Sequence, residues 1–213
     1  EVILTDVCPY SLGTNVVKDM GNGRLESGYF YPIIERNTPI PVSKIETFCT
    51  VHGNQTMINL EVYQGESRMV ENNIKIGELN IDFPPEPAGS EVIDVRYTYD
   101  INGILEVEVI SRKTGIKKRI VIEKSPGSMT TEEIEERLKA LREIKIHPRE
   151  RTENKLLLAR GERIYEESIG EVREYVSGIL HEFESVMSRQ NEMEVRKAAE
   201  VLRRKLDELE TRF

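Results

Sequence analysis

The feature that most constrains this 213-residue chain is a change of hydrophobic period at Ser125-Pro126-Gly127-Ser128. Before it, apolar residues alternate with polar ones in short runs; after it they recur at helical spacing. The clearest early run is Ile58-Asn59-Leu60-Glu61-Val62, opened by the polar Asn54-Gln55 turn and closed by Gly65. It sets Ile58, Leu60 and Val62 on one side of a half-buried strand. The pattern predicts strands over 29–36, 42–52, 56–64, 73–81, 91–101, 104–112 and 116–123. Asn102-Gly103 and Thr114-Gly115 read as tight hairpins with primed turns, because Asn and Gly tolerate positive φ. Residues 18–28, rich in Gly, Asn and charge, read as a loop. Pro84-Pro85-Glu86-Pro87-Ala88-Gly89 cannot pair as a central strand and also reads as a loop. Short strands with turn signals about every 8–12 residues point to an antiparallel sandwich.

Beyond Gly127, Thr130 and Thr131 precede Glu132 and Glu133, a helix start with acids in the first turn. Ile134, Leu138 and Leu141 form one face, and Pro148 should end that helix near Ile146. A second helix is expected from Glu150 through Val186, with Gly170 and Gly178 weakening it, and a last one over 192–211. The fold class read from these patterns is α+β, an antiparallel β-sandwich over residues 8–124 followed by helices over 129–213.

Charge supports the division: residues 129–213 carry 37 charged side chains in 85, against 31 in the 128 before them. A net charge of −8 argues against nucleic acid, which needs clustered Lys and Arg; Lys117-Lys118-Arg119 is a short basic run better explained as a solvated strand edge. Cys8 and Cys49 have no metal spacing and read as free thiols of a reducing cytoplasm. No apolar run is long enough to span a membrane and no signal peptide is evident, so no membrane partner is expected. His52, His147 and His181 are scattered, and neither a nucleophile elbow nor a Walker loop occurs. Gly21-Asn22-Gly23 lacks the strand-to-helix setting of a phosphate cradle, and nothing in these residues supports an enzyme.

One ordered series goes further. Asn37-Thr38-Pro39-Ile40-Pro41, then Thr47-Phe48-Cys49-Thr50, then Asn54-Gln55 and Tyr63-Gln64-Gly65-Glu66, and finally Asn102-Gly103-Ile104-Leu105, resembles the substrate-binding domain of DnaK-type, seventy-kilodalton heat-shock chaperones. The wording of Phe48-Cys49-Thr50-Val51-His52 and Tyr97-Thr98-Tyr99-Asp100 is most similar to the HscC branch. The resemblance implies an interdomain linker remnant over 1–7 (Val2, Ile3, Leu4 and Asp6), a β-sandwich that binds peptide, and a helical lid. It implies that Thr14, Val16, Phe48, Ile58, Leu60 and Ile93 line a pocket for one apolar side chain of an extended polypeptide, with Gln55 beside it. Val17 and Val51 would form an arch over the peptide. It implies further a J-domain co-chaperone and the chain's own ATPase domain as partners. ATP and Mg would belong to that ATPase domain, expected to be missing here, so that this chain is not an enzyme and holds no cofactor. The ion pairs that latch the lid in the family are expected to be lost, because Gly53 and Ala88 stand on the loops, and Ile164 with Ser168, or Asn154 with Leu158, on the helix. From the residues alone the pocket positions also read as plain sandwich core. A scaffold whose helices mediate assembly, and a small-ligand β-domain using the 84–89 loop, stay open beside the chaperone reading.

Overall fold

The computed structural model describes residues 6–211. The fold is α+β, with two four-stranded antiparallel sheets preceding four helices among the described residues. Strands β1 (Leu12–Asp19), β2 (Leu25–Ile34), β4 (Gln55–Gln64) and β5 (Ile74–Glu86) form one sheet in the order β2-β1-β4-β5. Strands β3 (Val42–Cys49), β6 (Val92–Tyr99), β7 (Ile104–Ser111) and β8 (Lys117–Glu123) form the other in the order β3-β6-β7-β8. Alternation puts Leu60, Val62 and Ile81 of the first sheet, and Val95, Tyr97 and Val107 of the second, in one buried cluster. A hydrogen bond joins the sheets through that core, the Tyr97 hydroxyl donating to the Gly13 carbonyl at 2.9 Å. Gly13 is a site of close approach: a Cβ there would lie 2.0 Å from the Tyr31 carbonyl oxygen and 2.8 Å from Pro32 Cα. Only glycine lets β1 and β2 meet in this way.

Helix α1 (Thr131–Ala140) starts at a capping box. Thr130 Oγ1 accepts from the Glu133 amide at 3.2 Å, and the Glu133 carboxylate accepts from the Thr130 amide at 2.8 Å. Its Ile134 and Leu138 pack with Ile104, Val121 and Met129, so α1 belongs with the sheets, in a compact unit that ends at Leu141. A second compact unit begins at Arg142 and holds α2 (Thr152–Glu167), α3 (Gly170–Ser188) and α4 (Glu192–Glu210). Leu157, Ile164, Val176, Phe183, Leu202 and Leu206 form its core. Helices α2 and α3 touch at Gly161, where a Cβ would lie 2.4 Å from Leu180 Cδ2.

Several expectations change in detail. Residues 18–28 are mostly paired: Lys18 faces Glu26 and Asp19 faces Leu25, leaving a short turn around Gly21–Gly23. Strand β5 runs on through Pro84 and Pro85 to Glu86; it is an edge strand, and its pairing with β4 is irregular between Gln55 and Met57, so the prolines displace no central ladder. At both predicted hairpins only the glycine is left-handed, Gly103 at φ 77° and Gly115 at φ 71°. The Gly103 amide donates to Asp100 O at 3.1 Å and the Gly115 amide to Ser111 O at 2.9 Å. These are longer loops closed by one αL glycine, not two-residue primed turns. The first helix stops at Ala140, followed by short 3-10 turns at Arg142–Lys145 and Pro148–Glu150. The second is two helices. Ser168 Oγ donates to the Ile164 carbonyl at 2.6 Å, and Gly170 at φ 59° turns the chain into α3.

Candidate functional site

The first sheet is incomplete between β1 and β4. Their pairing covers Leu12 with Gln64, Gly13 with Tyr63 and Thr14 with Val62, and extends no further. Beyond it, β1 continues to Asp19 paired with β2 on its other side, and β4 runs back to Gln55 paired with β5 on its other side. Two strand edges therefore flank a fork. Just past the last pair a side chain replaces the backbone ladder: Asn15 Nδ2 donates to Glu61 Oε2 at 3.2 Å, while Asn15 Oδ1 accepts from the Gly28 amide at 2.9 Å.

The predicted pocket residues lie on β1 and β4 of this sheet and on β3 and β6 of the other. Thr14 and Val16 share the core-facing side of β1, as Ile58 and Leu60 do on β4. Leu60 and Ile93 are buried in the shared core, and Phe48 and Ile58 pack against it half-buried. Phe48 lies opposite Ile93 in the β3–β6 register. Val16, Val17 and Val51 are half-buried and stand outside that core cluster. Val17 falls where the β1–β2 register slips between Val16 and Lys18, a bulge that re-aims its side chain. Val51 follows the end of β3 in a turn held by the Gly89 amide donating to Thr50 O at 2.8 Å. Of the linker positions, Val2, Ile3 and Leu4 lie outside the described residues; Asp6 is exposed, its carbonyl accepting from the Ile40 amide at 3.0 Å.

Two polar atoms at the fork are buried without a hydrogen-bond partner, Thr14 Oγ1 on β1 and Gln55 Oε1 on β4. The Gln55 amide nitrogen donates to Met57 O at 2.9 Å. Such groups are costly to leave unpaired and mark where a backbone or side chain could be received.

Two clusters here were not anticipated from the sequence. On the outward face Glu61 accepts from Lys75 Nζ at 3.0 Å, from the Tyr63 hydroxyl at 3.1 Å and from Asn15. The Lys75 ammonium holds its carboxyl below the usual range, against the opposing effect of burial. On the inward face the Tyr31 ring meets Phe48 edge-on, centroids 5.5 Å apart at 84°. Burial pushes the Tyr31 phenol up, and the hydrogen-bonded Glu46 carboxylate adds to this. The strict alternation of β4 was a signal for Glu61 on its polar side; no local pattern flagged Tyr31.

The chain is similar to known proteins. The family model described as Hsp70 protein matches residues 1–212. Over 196 residues, 88% of this chain, it is 34% identical to a mitochondrial heat shock 70 kDa protein of Pisum sativum, covering 27% of that protein. Over 146 residues, 68% of this chain, it is 35% identical to a ribosome-associated molecular chaperone SSB of Candida glabrata, covering 22% of it. A second ribosome-associated molecular chaperone, from Eremothecium gossypii, is 36% identical over 146 residues. The chain thus spans about a quarter of the length of these relatives. The match overturns two expectations, that the chain is a non-enzyme and that the family's ATPase domain, with ATP and Mg, is absent from it. It is a match to the Hsp70 protein over nearly the whole chain and sets off no non-enzymatic part. Among the described residues no group of three or more His, Cys, Asp or Glu side chains converges, and Gly21–Gly23 close a β-hairpin. No helix among them is long and apolar enough to cross a membrane.

Proposed function

Since the chain belongs to the Hsp70 family, as the match over residues 1–212 shows, we propose that it serves the chaperone's grip on client proteins by receiving an extended apolar polypeptide segment in the fork between β1 and β4. The observation that carries this reading is the pairing of those strands over three residues only, which leaves two lengths of backbone edge. A client contributes amides and carbonyls whatever its sequence, so strand edges can hold many clients. One client side chain would enter beside Ile58, Leu60, Phe48 and Ile93, where burial contributes about 1.5–3 kcal/mol, a scale suited to reversible binding. In this reading Thr14, Val16 and Gln55 flank that place, and Val17 and Val51 would form an arch over the client.

In this reading the two sheets make the β-sandwich of a substrate-binding domain, the helices its lid, and the protein is of the HscC-like branch. Its partners are unfolded or extended polypeptides and a J-domain co-chaperone; its place is the cytoplasm, under stress. The test is a titration of the chain into a fluorescein-labelled, Leu-rich heptapeptide, followed by anisotropy. Saturable binding with a Kd on the order of micromolar is expected, competed by unlabelled peptide. No binding up to about a hundred times that concentration would leave the sandwich as an assembly scaffold instead.

A further inference from the structure

Tyr31 belongs to neither sheet interior nor open surface. Its position opposite Thr14 in the β1–β2 register puts its ring on the core-facing side of the first sheet. There it reaches the edge strand of the second sheet, meeting Phe48 edge-on at 5.5 Å and 84°. It remains 37% exposed, so the contact lies at an open margin and not within the close-packed interior. Glu46 sits two residues before Phe48 on the same side of β3, and its carboxylate accepts from the Tyr31 hydroxyl. Ring and hydroxyl are therefore each held, one by an aromatic edge and one by a charged acceptor. Phe48 in turn packs against the core cluster beside Ile93, at the place where the client side chain would enter.

We propose that Tyr31 is the positioning residue that sets which client side chain the fork accepts, by bracing Phe48 from the open side. The proposal rests on the peptide-binding reading above and deepens it. With Tyr31 in place, Phe48 cannot swing toward the margin, and the space left beside Ile58 and Leu60 suits a branched aliphatic chain. The client class is an extended peptide with Leu or Ile at its centre, in preference to Phe or Trp. Without the Tyr31 ring, Phe48 gains room to rotate outward, and a larger aromatic chain can enter. Glu46 contributes by holding the brace; the ring does the bracing.

Two seven-residue peptides, identical but for a central Leu or a central Phe, test this by anisotropy titration against the wild-type chain, Tyr31→Ala and Tyr31→Phe. The readout is the ratio of the two dissociation constants, which a general loss of stability would not move. The wild type should favour the Leu peptide; Tyr31→Ala should shrink that preference by about tenfold, the upper range for losing one edge-to-face contact. Tyr31→Phe keeps the ring and should hold the ratio within about twofold. Thermal unfolding of both variants checks that the sheets persist, and Tyr31→Leu replaces Tyr31→Ala if they do not. An unchanged ratio in the ringless variant, or equal weakening for both peptides, overturns the proposal while leaving peptide binding intact. Failure of the wild type to bind either peptide overturns the reading beneath it as well.

Discussion

Ile58 is the residue whose replacement speaks most directly to the fork. It is half-buried on β4, against the core but not within it. Ile58→Phe should fill the space offered to a client side chain, and Ile58→Asp should set a charge in it. Both are expected to lower affinity for a Leu-centred peptide by at least about tenfold, with far-ultraviolet dichroism unchanged. Tyr97 tests stability instead. Its hydroxyl spans the core to the Gly13 carbonyl, and Tyr97→Phe removes the donor from a buried acceptor. A loss of about 1–3 kcal/mol in urea unfolding is expected. Glu61 gives the pH dependence. Lys75 holds its carboxyl below the ordinary value of 4.5, so the stability it contributes is present above that pH and is lost as pH falls through the lowered value. Lys75→Met should therefore lower the urea midpoint at about pH 6, and the difference from the wild type should shrink as pH falls through that lowered value.

At the scale of elements, glycines mark the closest approaches. Gly13→Ala would drive a methyl into the backbone of β2, which cannot yield without parting two strands. The first unit should lose more than about 3 kcal/mol or fail to fold. Gly161→Ala meets only the Leu180 side chain, which can turn aside, so α2 and α3 should loosen by about 1–2 kcal/mol in thermal or chemical unfolding. Neither consequence was legible in the sequence, because the atoms that crowd these glycines come from other elements. What the sequence carried well was period: the β4 alternation, the eventual hairpins and the change after Gly127 all became elements of the expected kind. What it carried poorly was termination. Pro84 and Pro85 are tolerated because β5 is an edge, which only its neighbours decide; the helix expected through Gly170 ends at Glu167, where Ser168 turns extended and its hydroxyl donates to the Ile164 carbonyl. The same division holds at the candidate site, where Ile58 and Leu60 stood out by alternation and resemblance, while Tyr31 and Glu46 acquire meaning only once β2 and β3 are brought to one margin.

For the molecule as a whole, the compact units divide at Leu141 and not at the Ser125–Ser128 composition change, because α1 packs Ile134 and Leu138 onto Ile104 and Val121. A chain cut after Leu141 should unfold cooperatively on its own and keep peptide affinity within about tenfold, whereas a cut after Lys124 strips that packing and should lower its midpoint. Isothermal titration and urea unfolding of the two truncations check this together. The short β1–β4 ladder also has a consequence in time. Amides of β4 that face the fork lack the lattice of donors and acceptors that slows solvent exchange elsewhere in the sheet. They should trade their protons for deuterium far sooner than those of β6 and β7, which are paired on both sides. A bound client would slow them, so the pattern of slowed amides would trace where the visiting strand had lain.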